Sequence, residues 1–208
     1  MLNMTVSAES TAQRLSTSTA ASRLRKGTKD DGEVLLRTPF ALIRTIRTPE
    51  SGIRRLRVRD SAGARAWRFD LVTNLRRFAD GDTVADNYSA AVVELPVRYD
   101  GRIGLARRGI LRNPVELDLP VATVGSPALR DRYEIRASSP ELVASVLTEP
   151  VIAWLSGDGR SFHYELVHNR LLAYGWRRYI GGNALLRAAE GFRAALGVVA
   201  GISSQQNV

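Results

Sequence analysis

A chain of 208 residues with 44% apolar side chains can bury one hydrophobic core, which excludes a chain disordered throughout. It has no cysteine, so disulfides, thiolate nucleophiles and cysteine-based metal centres are excluded together, and a reducing cytoplasm is the expected location. The net charge of +9 is unevenly placed: residues 37–77 carry eleven arginines against Glu50, Asp60 and Asp70, whereas residues 78–208 balance fourteen cations with fourteen acids.

Residues 1–32 read as a disordered leader. The run Ser16–Ser22 is of low complexity, and Lys29-Asp30-Asp31-Gly32 is polar and turn-like. The leader lacks the apolar run of a secretory signal. From Glu33 to Ala137 the pattern is of short strands. Phe40–Ile46 is compatible with a strand, and Ile53–Asp60 and Ala64–Thr73 form a hairpin about Ser61-Ala62-Gly63. Phe78–Asn87 reads as an exposed acidic loop. Tyr88–Leu95 reads as a central strand ended by Pro96, followed by strands over Ile103–Arg107 and Val115–Leu119. Val121–Arg130 reads as a loop and Arg132–Ala137 as the next strand.

The last third changes period. Ser138 or Ser139 caps a helix with Pro140 in its first turn, and Pro150 kinks or restarts it. Ser161–Val167 and Arg170–Arg177 form a hairpin turning at His168-Asn169, where the asparagine suits left-handed backbone. Leu185, Ala189, Phe192, Leu196 and Val199 recur at helical spacing in a final helix, before a polar tail over 203–208. No stretch reads as a transmembrane segment: the most apolar, Ala184–Ser203, contains Arg187, Glu190 and Arg193. The expected fold is α+β over residues 33–202, a mostly antiparallel sheet with two principal helices packed on one face.

Three strings carry a resemblance: Tyr88–Pro96 (YSAAVVELP), Pro127–Pro140 (PALRDRYEIRASSP), and Leu147–Val151 (LTEPV) with Trp154-Leu155. Over residues 53–197 the chain resembles a family of uncharacterised proteins from high-GC bacteria. The resemblance implies a strand ending in Leu-Pro, two more strands leading to the Tyr133 strand, a helix opening at Leu-Thr, a hairpin and a closing helix. It implies no activity and no catalytic residue. Many relatives carry N-terminal membrane spans, from which this sequence departs.

Chemistry-bearing motifs are sparse. His163, Glu165 and His168 do not converge as zinc ligands would and read as a surface strand and a turn histidine. Asp80, Asp82 and Asp86 begin like a calcium loop, but Val84, Ala85 and Ala91 stand where that loop needs a ligand, a glycine and a glutamate. No nucleophile elbow or phosphate-binding glycine loop occurs, and no metal or cofactor is expected. Trp67, Trp154 and Trp176 read as core residues.

The arginine cluster is the candidate site. In hairpin register Asp60 opposes Arg65, Val58 opposes Trp67 and Leu56 opposes Phe69. The other face presents Arg55, Arg57, Arg59 and Arg68, with Arg55 opposite Asp70 and Arg57 opposite Arg68. An arginine pair directly opposed calls for an anion, supplied either by a partner or within the fold by Glu116 and Asp118. Three functions follow. The first is a non-enzymatic interaction domain of unknown ligand. The second is a binder of nucleic acid or an anionic lipid surface through Arg55, Arg57, Arg59 and Arg68. The third is an enzyme that clamps an anionic small molecule with those arginines.

Overall fold

The computed structural model describes residues 23–46, 52–61, 64–77, 83–109, 117–123, 126–177 and 180–203. Eight strands form one sheet: β1 (Arg25–Lys26), β2 (Gly52–Ser61), β3 (Ala64–Arg77), β4 (Thr83–Glu94), β5 (Arg102–Arg107), β6 (Tyr133–Ala137), β7 (His163–Val167) and β8 (Arg170–Trp176). Their spatial order is β1-β2-β3-β4-β8-β7-β5-β6. Every pairing among them is antiparallel. The helices are α1 (Lys29–Leu36), α2 (Pro127–Arg132), α3 (Pro140–Val146), α4 (Glu149–Ser156) and α5 (Gly182–Ser203). The fold is α+β.

Both faces of the sheet are buried. On one, Ala91, Val93, Leu105, Ile135, Tyr164 and Leu171 pack under α3, α4 and the Leu185–Leu196 stripe of α5. On the other, Val58, Trp67, Phe69, Val92, Leu172 and Tyr174 lie beneath Leu35, Phe40, Leu42 and Ile43. This explains the uninterrupted run Ala90-Ala91-Val92-Val93 in β4, where every residue is fully buried. A strand covered on both faces has no reason to alternate.

The cover on the second face corrects the expected leader. Its boundary at residue 32 falls inside α1. Thr28 caps that helix in a reciprocal box: its hydroxyl accepts from the Asp31 backbone N–H, and the Asp31 carboxylate accepts from the Thr28 N–H at 2.8 Å. Arg25 donates to Asp31 at 2.7 Å, and β1 pairs with Arg57 and Val58. Residues 1–22 lie outside the described residues. Phe40–Ile46 is not a strand. It turns into a short 3-10 helix over Ile43–Thr45, laid across the sheet.

Other boundaries move for local reasons. Residues 83–87, expected in a loop, extend β4, because β3 runs on to Arg77 and supplies a partner. Asp80 and Asp82 lie outside the described residues. Residues 117–119 form no strand. That segment runs along the outer edge of β6, where Ala122 donates to the Ile135 carbonyl and Ala137 to that of Pro120. Part of the expected loop 121–130 is α2, with Pro127 in its first turn. Ser139 caps α3 through the Leu142 N–H, while the Ser138 hydroxyl accepts from the Arg102 N–H. The helix breaks at Leu147 and restarts with Pro150 in the first turn of α4. In the β7–β8 turn it is His168, not Asn169, that has positive φ (53°).

Glu165 on β7 is 1% exposed. Its carboxylate accepts from the Ala41 N–H at 2.8 Å and from Arg102 at 2.9 Å. Burial pushes this carboxyl up, against the two donors that favour its charged form.

Phe192 is fully buried on α5 against the ring of Tyr164, with 5.2 Å between centroids. Phe192→Ala should lower unfolding free energy by about 3–5 kcal/mol in urea titrations, through lost burial and the cavity left behind. A loss under about 1 kcal/mol would mean that α5 does not hold the sheet.

Candidate functional site

The β2–β3 hairpin is where the sequence places the site, and most of its register is as expected: Asp60 opposes Arg65, Val58 opposes Trp67 and Arg57 opposes Arg68. A bulge between Arg54 and Arg57 changes the rest. Asp70 pairs with Arg54 rather than Arg55, and Leu56 has no partner at Phe69. Arg55 takes left-handed backbone at φ 52°, the device by which a bulge absorbs an extra residue.

The four predicted arginines meet different fates. Arg59 forms an ion pair with Glu190 of α5. Arg68 donates to the Asn183 side-chain oxygen at the start of that helix, and its stem lies against Gly182, where a Cβ would come within 2.7 Å of it. Arg55 is 70% exposed and 3.7 Å from Asp70, which Arg177 also approaches at 3.4 Å. Arg57 donates to the neighbouring Leu56 carbonyl. The expected internal neutralisers are not seen to act: Asp118 is exposed and makes no ion pair among the described residues, and Glu116 lies outside them.

Strand pairing adds a residue that the sequence reading assigned to the leader. Lys26 of β1 sits opposite Arg57, which sits opposite Arg68. Three cations therefore stand side by side across three strands, on the face shared by register partners. None of the three meets a carboxylate among the described residues.

The histidine strand is not a surface strand. Every residue of β7 is buried, and among the described residues no three acidic or histidine side chains converge as metal ligands would. His163 stacks on Tyr174, and its Nδ1 accepts the Arg107 backbone N–H at 3.1 Å. Burial, aided by the Arg107 charge, lowers its pKa to about 4. Of the tryptophans, Trp67 is fully buried, with the guanidinium groups of Arg170 and Arg65 over its ring at 5.7 and 5.9 Å, while Trp154 and Trp176 are half-buried.

A second group of arginines gathers at the far end of the sheet, and no sequence window marks it. Arg107 ends β5, Arg108 follows it, Arg132 ends α2, and Arg160 lies in the 3-10 turn before β7. With Asp131 and Ser161 they line a cleft of 230 Å³. Residues 78–208 have no net charge, so charge counting along the chain averages this cluster away.

These features describe a domain with an antiparallel sheet buried on both faces and arginine-rich surfaces at either end. No family model and no curated protein matches the chain. Among solved structures, the crystal structure of the mycobacterial trehalose monomycolate transport factor A, TtfA, is similar, with a TM-score of 0.55 at 11% identity over 85% of this chain and 88% of that one. At that identity the likeness is one of fold.

Two measurements test the site's electrostatics. Arg59→Glu should lower the melting temperature, because it sets a carboxylate against Glu190, whereas Arg55→Glu should change it little. Equal effects would dissolve the distinction between the two positions. His163 takes its proton near pH 4 in the folded chain and near 6.5 in the unfolded one. Its contribution to stability is therefore present above pH 6.5 and is lost as the pH falls through about 4. Wild type should gain more stability than His163→Gln between those limits, and parallel pH profiles would refute this.

Proposed function

We propose that this chain is a non-enzymatic interaction domain that binds an anionic partner through the cationic row of the β1–β2–β3 edge. The row Lys26–Arg57–Arg68 carries the reading. Like charges directly opposed across strands destabilise a sheet unless an anion bridges them, and here no carboxylate of the described residues does so. Arg59 leaves the expected set, since Glu190 engages it. Arg55 flanks the row from an exposed position. Planar guanidinium forks suit phosphate oxygens, which favours nucleic acid or an anionic lipid surface over an acidic peptide.

No helix among the described residues is long and apolar enough to cross a membrane. A cytoplasmic location is part of the proposal, on the strength of the cysteine-free composition. The fold is shared with a protein named as a transport factor, and a role in binding rather than catalysis accords with that name. An enzyme using the arginines as a substrate clamp has less support. Arg59 is held by Glu190 of α5, and the buried polar groups Glu165 and His163 accept backbone N–H groups.

Retention on heparin in a salt gradient tests the reading. Wild type should elute later than Lys26→Glu/Arg57→Glu, and each lost contact should reduce the slope of log affinity against log salt by about 1. Arg98→Glu, an exposed change outside the hairpin, should shift elution much less. If the double variant and the Arg98 variant shift alike per charge, the row binds nothing and only net charge is being read.

A further inference from the structure

The cleft at the opposite edge of the sheet carries a separate inference. Four guanidinium groups and one carboxylate, Asp131, share it, a local formal charge of +3. None of Arg107, Arg108, Arg132 and Arg160 forms an ion pair among the described residues, and all four are exposed. Like charges so gathered repel one another, and the repulsion is relieved when an anion enters.

The backbone around the cleft is held. The Arg107 N–H donates to His163 Nδ1 at 3.1 Å, and the Arg108 N–H donates to the Arg132 carbonyl at 2.6 Å. The Arg160 N–H donates to the Gly157 carbonyl at 3.3 Å. Beneath the turn, the hydroxyls of Tyr133 and Tyr164 both donate to the Gly159 carbonyl at 3.0 Å. The four side chains thus project from three anchored segments of chain, and a ligand would not have to order the backbone that presents them. Arg132 also donates to the Ser156 carbonyl at 2.8 Å, which ties α2 to the end of α4.

The number of forks selects the ligand. A carboxylate has two oxygens and is satisfied by one bidentate arginine, whereas a phosphate group offers three or more terminal oxygens and accepts several forks at once. We propose that the cleft formed by Arg107, Arg108, Arg132, Arg160 and Ser161 is a binding site for a phosphate or diphosphate group, with the Ser161 hydroxyl as a neutral donor beside the guanidiniums. Asp131 disfavours a ligand that fills the cleft with negative charge on every side and so sets the orientation of the group. The site lies on the β5–β6–β7 side of the sheet, away from the Lys26–Arg57–Arg68 row, and does not depend on that row having a function.

Calorimetric titration of the full chain with inorganic pyrophosphate, against sodium chloride at matched ionic strength, tests the site. Saturable binding of pyrophosphate is expected, weakened about tenfold by Arg107→Gln and again by Arg160→Gln, as for a charge-assisted hydrogen bond lost at each step. Both changes leave the backbone anchors in place. Arg98→Glu, an exposed change outside both arginine surfaces, should leave the affinity unchanged, which separates the cleft from an effect of net charge. A second arm uses phosphatidylcholine vesicles with and without phosphatidic acid. Binding to pyrophosphate alone marks a soluble phosphate ligand, and added capture by the phosphatidic acid vesicles, lost in the same two variants, marks a lipid headgroup. Heat effects equal to those of matched salt, or affinity untouched in Arg107→Gln/Arg160→Gln with an unchanged melting temperature, would overturn the proposal.

Discussion

The carboxylate of Glu165 joins the parts of this fold that sequence keeps far apart. It sits on a central strand, takes the backbone N–H of Ala41 from the N-terminal cover, and pairs with Arg102 at the start of β5. A carboxylate buried this deeply is costly unless donors satisfy it, and losing Arg102 would leave it without its cationic partner. Its two partners stand 124 and 63 residues away in the chain. The clamp fixes how residues 35–43 lie on the sheet, and their apolar side chains close the second face. Without that cover Trp67, Phe69, Tyr88 and Tyr174 would meet water.

Closing both faces sets where polar chemistry can occur. Apolar side chains fill the sheet above and below, so charged groups are displaced to its ends and its outer strands. At one side the β2–β3 hairpin carries cations whose outer members reach α5, through Glu190 and Asn183, while the middle of the row meets no carboxylate. At the other, β5, α2 and the turn before β7 bring four arginines to one cleft. His163, one strand inward, feels Arg107 and stays neutral well below its ordinary range. The two surfaces are alike in charge but differ in form: the hairpin row runs across three paired strands, and the cleft is a concavity of 230 Å³.

Much of the architecture is legible in the chain because it depends on local chemistry. Alternation across Val58, Trp67 and Phe69 sets the faces of β3 and half the register of the hairpin. The stripe Leu185, Ala189, Phe192 and Leu196 defines the buried side of α5, and Ser139 with Pro140 marks where α3 starts. The bulge at Arg55 escaped because nothing in the sequence there requires left-handed backbone: arginine pays for φ 52° only because the strand pairs on either side compel it. The N-terminal cover escaped for a related reason. Thr28 and Asp31 make a capping box with aspartate in place of the usual glutamate, inside a segment whose composition reads as leader.

What the sequence determined by itself is therefore the α+β class, the order of most strands and helices, the buried stripe of the last helix and the excess of arginine in the hairpin. Periodicity, caps and composition act over a few residues and survive in a one-dimensional reading. Tertiary structure alone decided which arginines are engaged within the fold and which meet no carboxylate among the described residues. Arg59 is neutralised by a glutamate 131 positions later, Lys26 joins Arg57 through a two-residue strand, and Arg107, Arg132 and Arg160 converge from separate segments. Charge acts through space over several ångströms whatever the distance along the chain, so no count over a sequence window can say where a positive surface will form.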